Sequence, residues 1–127
     1  ERLEYWKNAW ALIENHWMLG VGTGDVDDAM QAMYDQRNSP LTKERRLRAY
    51  NSYLTYFLTF GILGILFFVY FQLKFILQQV KWKQWVGLLF GCIVLVTFLF
   101  EDTLESQMGI TLFAFFYSLF SRKITSA

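Results

Sequence analysis

The 127-residue chain is 54% hydrophobic and 20% aromatic, and its 12 basic and 11 acidic residues leave a net charge of +1. A chain of this length forms at most one domain, and its balanced charge gives no support to nucleic-acid binding. With one cysteine and one histidine, it lacks both the ligands of a self-contained zinc site and the disulfides of a small secreted scaffold.

The chain divides into a polar and an apolar part. Residues 1–50 carry seven basic and eight acidic side chains, whereas residues 51–127 hold all 13 phenylalanines. Three charge-free runs lie in the second part, at 51–73, 84–100 and 106–121. A soluble domain of this size cannot bury three such runs, because its surface is too large for its volume. We therefore predict an all-α, polytopic membrane protein with two to three transmembrane helices.

The polar part, residues 1–50, predicts two helices outside the membrane. Over residues 2–19, apolar side chains recur at steps of three and four, which is typical of an amphipathic helix. The apolar positions are Leu3, Trp6, Ala9, Trp10, Ile13 and Trp17. The glycine-rich residues 20–24 lack the ending of a Walker A loop, so they predict a tight turn and not a nucleotide site. Asp25 then caps a short helix over 26–34.

The apolar part, residues 51–127, predicts spans at about 51–77, 86–100 and 108–120. The first run is long enough, because about 20 helical residues cross the hydrocarbon layer, whereas the last is short for a span. Gly61 and Gly64 would allow neighbouring helices to approach closely. Cys92 lies in an apolar run, and we expect a buried, unreactive thiol.

Basic residues indicate the orientation of the spans in the membrane. They cluster after the first and last spans, as Lys81, Lys83, Arg122 and Lys123. The positive-inside rule places those ends in the cytoplasm, so residues 1–50 and the 101–107 turn face outward. Because the chain begins at Glu1 with no visible signal peptide, we expect it to be the C-terminal fragment of a larger membrane protein.

A second group of charged residues borders the spans on the predicted outer side. The basic members are Lys43, Arg45, Arg46 and Arg48, and the acidic members are Glu101, Asp102 and Glu105. Outward arginines conflict with the positive-inside rule, and an anionic ligand would explain them, since an arginine fork matches phosphate oxygens. The alternatives are contact with lipid headgroups or an inverted orientation. The carboxylates either mark an outer loop or pair with the arginines.

Two stretches of the chain resemble the O-antigen ligase and polymerase superfamily. The first, residues 2–24, begins Arg-Leu-Glu-Tyr-Trp and ends Gly-Val-Gly-Thr-Gly. The second has Tyr50 and Asn51 at the entry to a membrane helix, followed by Gly-x-x-Gly, where the family has a His-Asn pair before the same glycines. The order and spacing of these motifs, up to about residue 66, carry the resemblance.

The resemblance implies a multi-pass protein of the bacterial inner membrane with a periplasmic active face. Such a protein transfers a glycan from undecaprenyl diphosphate to a lipid A-core hydroxyl, or to a growing glycan in the polymerases, without a metal or nucleotide cofactor. The implied partners are the lipid-linked glycan, its acceptor and membrane lipids, but no nucleic acid. The alternative from another class is a non-catalytic membrane subunit that binds partner helices through Gly61 and Gly64.

The resemblance also implies site residues, carried over position by position. Arg2 matches the family arginine associated with the donor diphosphate, Asn51 matches the family asparagine, and Tyr50 replaces the family histidine. An imidazole can accept the acceptor's proton near neutral pH, whereas a phenol is a weak base there. Tyr50 therefore either acts as a phenolate stabilised by Arg48 or orients the acceptor. The alternatives are that another residue of the full-length protein is the base, or that the chain is an inactive or divergent member. The predicted catalytic residues are Arg2, Tyr50 and Asn51; the predicted donor-binding residues are Arg2, Arg45, Arg46 and Arg48; the predicted pairing residues are Glu101 and Glu105.

Overall fold

The computed structural model describes residues 2–41 and 49–122, which form five α-helices and a 3₁₀ turn and contain no β-strand. The helices are α1 (Arg2–His16), α2 (Val26–Gln36), α3 (Ser52–Trp82), α4 (Trp85–Phe100) and α5 (Gln107–Phe120), and the 3₁₀ turn is Thr103–Glu105. The prediction of an all-helical chain is confirmed for this part of the molecule. Of these helices, α3 is long and apolar enough to cross a membrane, while α4 and α5 are shorter apolar helices.

A hydrophobic core joins α1, α2 and the beginning of α3. Its buried members are Tyr5, Ala9, Leu12, Ile13, Val26, Met30, Met33, Tyr34, Ala49 and Leu58. The predicted apolar face of α1 is only partly correct, because Leu3, Trp10 and Trp17 are exposed. α2 and α3 cover one stripe of α1 and leave the adjacent apolar stripe open.

The turn between α1 and α2 contacts the middle of α3. α1 ends at His16, before the predicted residue 19. Gly20 and Gly22 have φ values of 73° and 94°, which glycine adopts without steric cost. Asp25 occupies the N-cap position of α2, as predicted from the sequence, but its side chain makes no capping hydrogen bond within the described chain.

α3 reverses direction at Gly61, whose φ of 65° and ψ of −158° are not helical. In a straight helix, Tyr53 and Gln72 would be about 28 Å apart. Instead, the Tyr53 hydroxyl donates a hydrogen bond to Gln72 Oε1 at 2.8 Å. α3 therefore consists of a short segment, α3a (52–60), folded back along a long segment, α3b (62–82). The span predicted over 51–77 is interrupted, and α3b alone is about 31 Å long, enough for the hydrocarbon layer.

α4 runs antiparallel to α3b. Phe68 near the start of α3b stacks on Phe98 near the end of α4, with ring centroids 5.4 Å apart. Further along, a Cβ at Gly91 would lie 3.3 Å from the Phe75 ring, so this glycine permits close helix contact. Cys92 lies on another face of α4 and is exposed, contrary to the prediction of a buried thiol.

α5 returns along α3b and completes a three-helix bundle. Phe75 stacks on Tyr117 with ring centroids 4.7 Å apart. Gln79 is buried and donates through Nε2 to the carbonyl of Phe120 at 2.9 Å. The start of α3b, the end of α4 and the start of α5 therefore share one end of the bundle, where the candidate site lies.

Candidate functional site

The beginnings of α1 and α3 meet the end of α4 at this end of the bundle. Arg2 lies with its Nη2 atom 3.8 Å from Glu101 Oε1, and the Ser52 hydroxyl donates to the Glu101 carbonyl at 2.8 Å. The side chains of Arg2 and Glu101 are 53% and 58% exposed. An ion pair that is so long and so accessible to water is weak, so the guanidinium is available to a ligand.

Asn51 is the N-cap of α3. Its side-chain Oδ1 accepts hydrogen bonds from the backbone N–H groups of Tyr53 and Leu54, at 3.0 and 3.2 Å. These groups have no partner within a helix, so the buried Asn51 stabilises the first turn of α3a. The family resemblance predicts a catalytic role for this residue but not the cap, although an asparagine directly before an apolar helical run is a recognised start signal.

Tyr50 lies in an unusual backbone conformation between two anchored residues. Its φ is 46°, in the left-handed region that bulky side chains rarely adopt. On one side, the Ala49 carbonyl accepts a hydrogen bond from Trp6 Nε1 at 2.9 Å, and on the other Asn51 caps α3. The Tyr50 ring is partly exposed, 6.4 Å from the ring of Tyr5. Such a conformation is typical of residues held in place for function.

The three carboxylates after α4 have different surroundings. Glu101 lies beside Arg2, whereas the sequence predicts pairing with Arg45, Arg46 or Arg48, which lie outside the described residues. Asp102 accepts a hydrogen bond through Oδ1 from the Thr55 hydroxyl at 2.9 Å, a contact that the sequence does not predict. Glu105 is exposed on the 3₁₀ turn. Over residues 2–41 and 49–122, no group of three histidine, cysteine or acidic side chains could hold a metal ion.

A groove of about 700 Å³ lies between α1 and the start of α3. Its aromatic and apolar lining residues are Leu3, Trp6, Trp10, Ala11, Tyr53 and Leu54. Four polar side chains also line it: Lys7, Glu14, Arg37 and Asn51. Arg37 reaches α1 and donates to the Lys7 carbonyl at 3.0 Å. Lys7 and Arg37 are cations beside aromatic rings. This arrangement suits a ligand that has an anionic group together with a sugar or an apolar group.

Lys7 and Arg37 are not predicted as site residues from the sequence. They are 30 positions apart, and only the packing of α2 on α1 brings them together. The predicted donor-binding residues Arg45, Arg46 and Arg48 lie outside the described residues. Of the predicted site residues that are described, Arg2 and Glu101 form a pair, and Tyr50 and Asn51 lie at the adjoining entry to α3.

Comparison with known proteins identifies the family. Residues 1–69 match the sequence model of the family described as O-antigen ligase. This match covers more than half of the chain and includes α1, α2 and the reversal at Gly61. No curated protein and no solved structure shows significant similarity to the chain. Proteins of this family are membrane proteins, which agrees with the long apolar helix α3. The chain therefore belongs to the O-antigen ligase family.

Proposed function

We propose that this protein transfers a glycan from undecaprenyl diphosphate to a hydroxyl of lipid A-core, at the periplasmic face of the bacterial inner membrane. Family membership supports this class of reaction. The observation that carries the proposal is the position of Arg2. Its accessible guanidinium lies beside the end of α4, where the chain leaves the apolar bundle.

The charges at the two ends of the bundle support the periplasmic assignment of the site. Lys81, Lys83 and Arg122 lie at the end opposite to Arg2 and Glu101. Basic residues next to membrane helices favour the cytoplasmic side. The end that carries the candidate site would then face the periplasm, where the lipid-linked glycan is expected.

Arg2 has a defined role in this proposal. The acceptor hydroxyl attacks the anomeric carbon of the donor sugar, the bond from that carbon to the diphosphate oxygen breaks, and negative charge grows on the diphosphate. A guanidinium positioned at that group stabilises the charge as it forms. Arg45, Arg46 and Arg48, which precede Tyr50 in the sequence, are proposed as further donor-binding residues.

Glu101 is proposed to hold Arg2 until the donor arrives. Its contact with Arg2 is long and solvent-exposed, so a diphosphate with more negative charge can replace it. Glu105, exposed on the neighbouring turn, adds to the same negative surface. When the diphosphate replaces Glu101 as the partner of Arg2, the end of α4 loses its contact with Arg2. Donor binding would in this way be coupled to the end of α4.

Tyr50 is proposed to act on the acceptor, either as a phenolate base or by orienting the hydroxyl. Two substitutions separate these roles. Tyr50→Phe removes the hydroxyl, and Tyr50→His introduces the base that the family pattern has at this position. If the phenolate is the base, transfer falls in Tyr50→Phe and is restored in Tyr50→His. Equal activity of the two variants would argue against Tyr50 as a phenolate base.

The main experiment replaces Arg2 in the full-length protein, expressed in a strain that lacks its own copy. Arg2→Ala should lower attachment of glycan to lipid A-core by roughly a hundredfold, the usual loss for one stabilising donor. Arg2→Lys should keep part of the activity, because it keeps the charge without the planar fork. Arg122→Ala, at the opposite end of the bundle, is the matched control. Attachment is read from lipopolysaccharide gels and protein amount from immunoblots.

Normal attachment by Arg2→Ala at normal protein level would overturn the proposed role of Arg2. A change in glycan length, with attachment to core retained, would assign the polymerase reaction instead. Unchanged products in both Arg2 and Tyr50 variants would favour a non-catalytic membrane subunit.

A further inference from the structure

An uncharged apolar segment between α1 and α2 is exposed and has no role in the proposed reaction. Trp17, Met18 and Leu19 are 51%, 59% and 82% exposed. Residues 16–24 contain no aspartate, glutamate, lysine or arginine. Three consecutive apolar side chains exposed to water are unfavourable, and transfer to an apolar or interfacial environment would stabilise them.

The backbone of this segment is fixed to α3. The Trp17 carbonyl accepts a hydrogen bond from the N–H of Ile62, the first residue of α3b, at 2.8 Å. Gly20 also packs on the α3 backbone, where a Cβ would lie 2.5 Å from the Thr59 carbonyl oxygen. The height of the segment above or within a membrane is therefore set by the position of Ile62.

α3b determines where Ile62 lies relative to the bilayer. Its far end carries Lys81 and Trp82, residue types that mark the membrane–water interface. Its length of about 31 Å matches a hydrocarbon layer of about 30 Å. When Trp82 lies at one interface, Ile62 lies at the other, and Trp17 lies there with it.

The two ends of α1 lie at similar heights. Its last turn leads to Trp17, which is bonded to the start of α3b, and Arg2 at its beginning is paired with Glu101 at the end of α4. Because α3b and α4 are antiparallel, the start of one and the end of the other lie on the same side of the bundle. With α3b across a bilayer, α1 would therefore extend along the membrane surface and would not project away from it.

We propose that Trp17, Met18 and Leu19 form a membrane anchor that inserts into the phospholipid leaflet on the side of the candidate site. Tryptophan prefers the headgroup region, and the methionine and leucine side chains reach the beginning of the acyl chains. The anchor holds α1 parallel to the surface and keeps Arg2 at headgroup height.

Site-directed spin labelling tests this anchor in the full-length protein, reconstituted in phosphatidylethanolamine and phosphatidylglycerol vesicles. Other cysteines, including Cys92, are changed to serine, and Leu19→Cys carries the nitroxide. Because Leu19 is highly exposed, the substitution leaves packing intact. Ala32→Cys, exposed on α2, is the matched control. Collisions with dissolved oxygen report on lipid, and collisions with a water-soluble nickel chelate report on water.

The expected result is a label at Leu19 that is relaxed mainly by oxygen and a label at Ala32 that is relaxed mainly by the nickel chelate. Equal access of the nickel chelate to both labels would place the segment in water and overturn the anchor. Low access of both reagents to Leu19 would show that protein covers the segment, and it would overturn the anchor as well. Neither result depends on glycan transfer, so the test is independent of the proposed function.

Discussion

Gly61 packs directly against the carbonyl group of Met18, so closely that a Cβ at position 61 would overlap it. In an unbroken helix, the Ile62 N–H would bond to the Leu58 carbonyl. Here Ile62 donates to Trp17, and Leu58 accepts from Val21 at 2.7 Å. The turn between α1 and α2 thus satisfies the backbone groups freed by the reversal. This exchange is important near a membrane, where an unpaired backbone group costs several kcal/mol.

Gly61→Ala should destabilise the protein strongly. Alanine at a φ of 65° is strained, and its Cβ would displace the backbone of Met18. We expect a loss of about 2 kcal/mol or more in the free energy of unfolding, measured as a lower Tm of the full-length protein in detergent. Gly24→Ala is the control, because Gly24 has open space around its Cβ position. Equal Tm values for the two variants would contradict the interlocked backbone.

Asn51 should tolerate replacement by another capping residue. Asn51→Ala removes the acceptor for two backbone N–H groups and should cost about 1 kcal/mol. Asn51→Ser keeps a cap and should retain most of the stability and the activity. Asn15→Ala serves as control, since Asn15 is exposed and bonds within α1. If Asn51→Ser has normal stability but no transferase activity, the side chain has a direct catalytic role beyond the cap.

The hydrogen bond from Thr55 to Asp102 should contribute measurably to stability. Thr55→Val keeps the shape of the side chain but removes the donor at 2.9 Å from the carboxylate. A bond to a charged group contributes about 1.5–3 kcal/mol, so we expect a clear decrease in Tm. Thr97→Val is matched to it, because the exposed Thr97 hydroxyl bonds only within α4. Equal effects of the two substitutions would show that the contact with Asp102 adds nothing.

Glu101→Gln should have little effect on stability. The ion pair with Arg2 is 3.8 Å long and both side chains are more than half exposed, so it contributes at most about 0.5 kcal/mol. The Ser52 hydroxyl bonds to the Glu101 backbone carbonyl, which the substitution leaves in place. Tm should therefore be nearly unchanged at low and high salt. A decrease of several degrees, present at low salt only, would show that the pair is a structural element.

The sequence predicted the helices well because their signals are local. Helical periodicity over residues 2–19 and the charge-free runs after residue 50 depend only on neighbouring residues. The reversal at Gly61 was not predicted, because residues 51–73 read as one continuous apolar run. The glycine shows that the backbone can turn there, but whether it does depends on a distant segment that supplies hydrogen bonds.

The candidate site was only partly predicted, because some of its contacts join residues that are distant in the chain. Arg2, Tyr50 and Asn51 are predicted by resemblance to family motifs, whereas Lys7, Arg37 and the contact of Asp102 with Thr55 are not predicted. The position of Asp102 beside Thr55, and of Arg37 beside Lys7, depends on helix packing across 47 and 30 residues. The sequence pattern predicts Glu101 as a partner for the arginines that precede Tyr50, whereas the structure places it beside Arg2.

The amino-acid sequence by itself determined that this protein is helical, that its second part is apolar and that its first part carries the motifs of its family. These properties follow from composition and from contacts within a few residues. Only the tertiary structure decided that α3 folds back at Gly61 and that Arg2 lies beside Glu101. Each of these depends on hydrogen bonds or charges between residues that are distant in the chain, and such contacts form only when the helices pack.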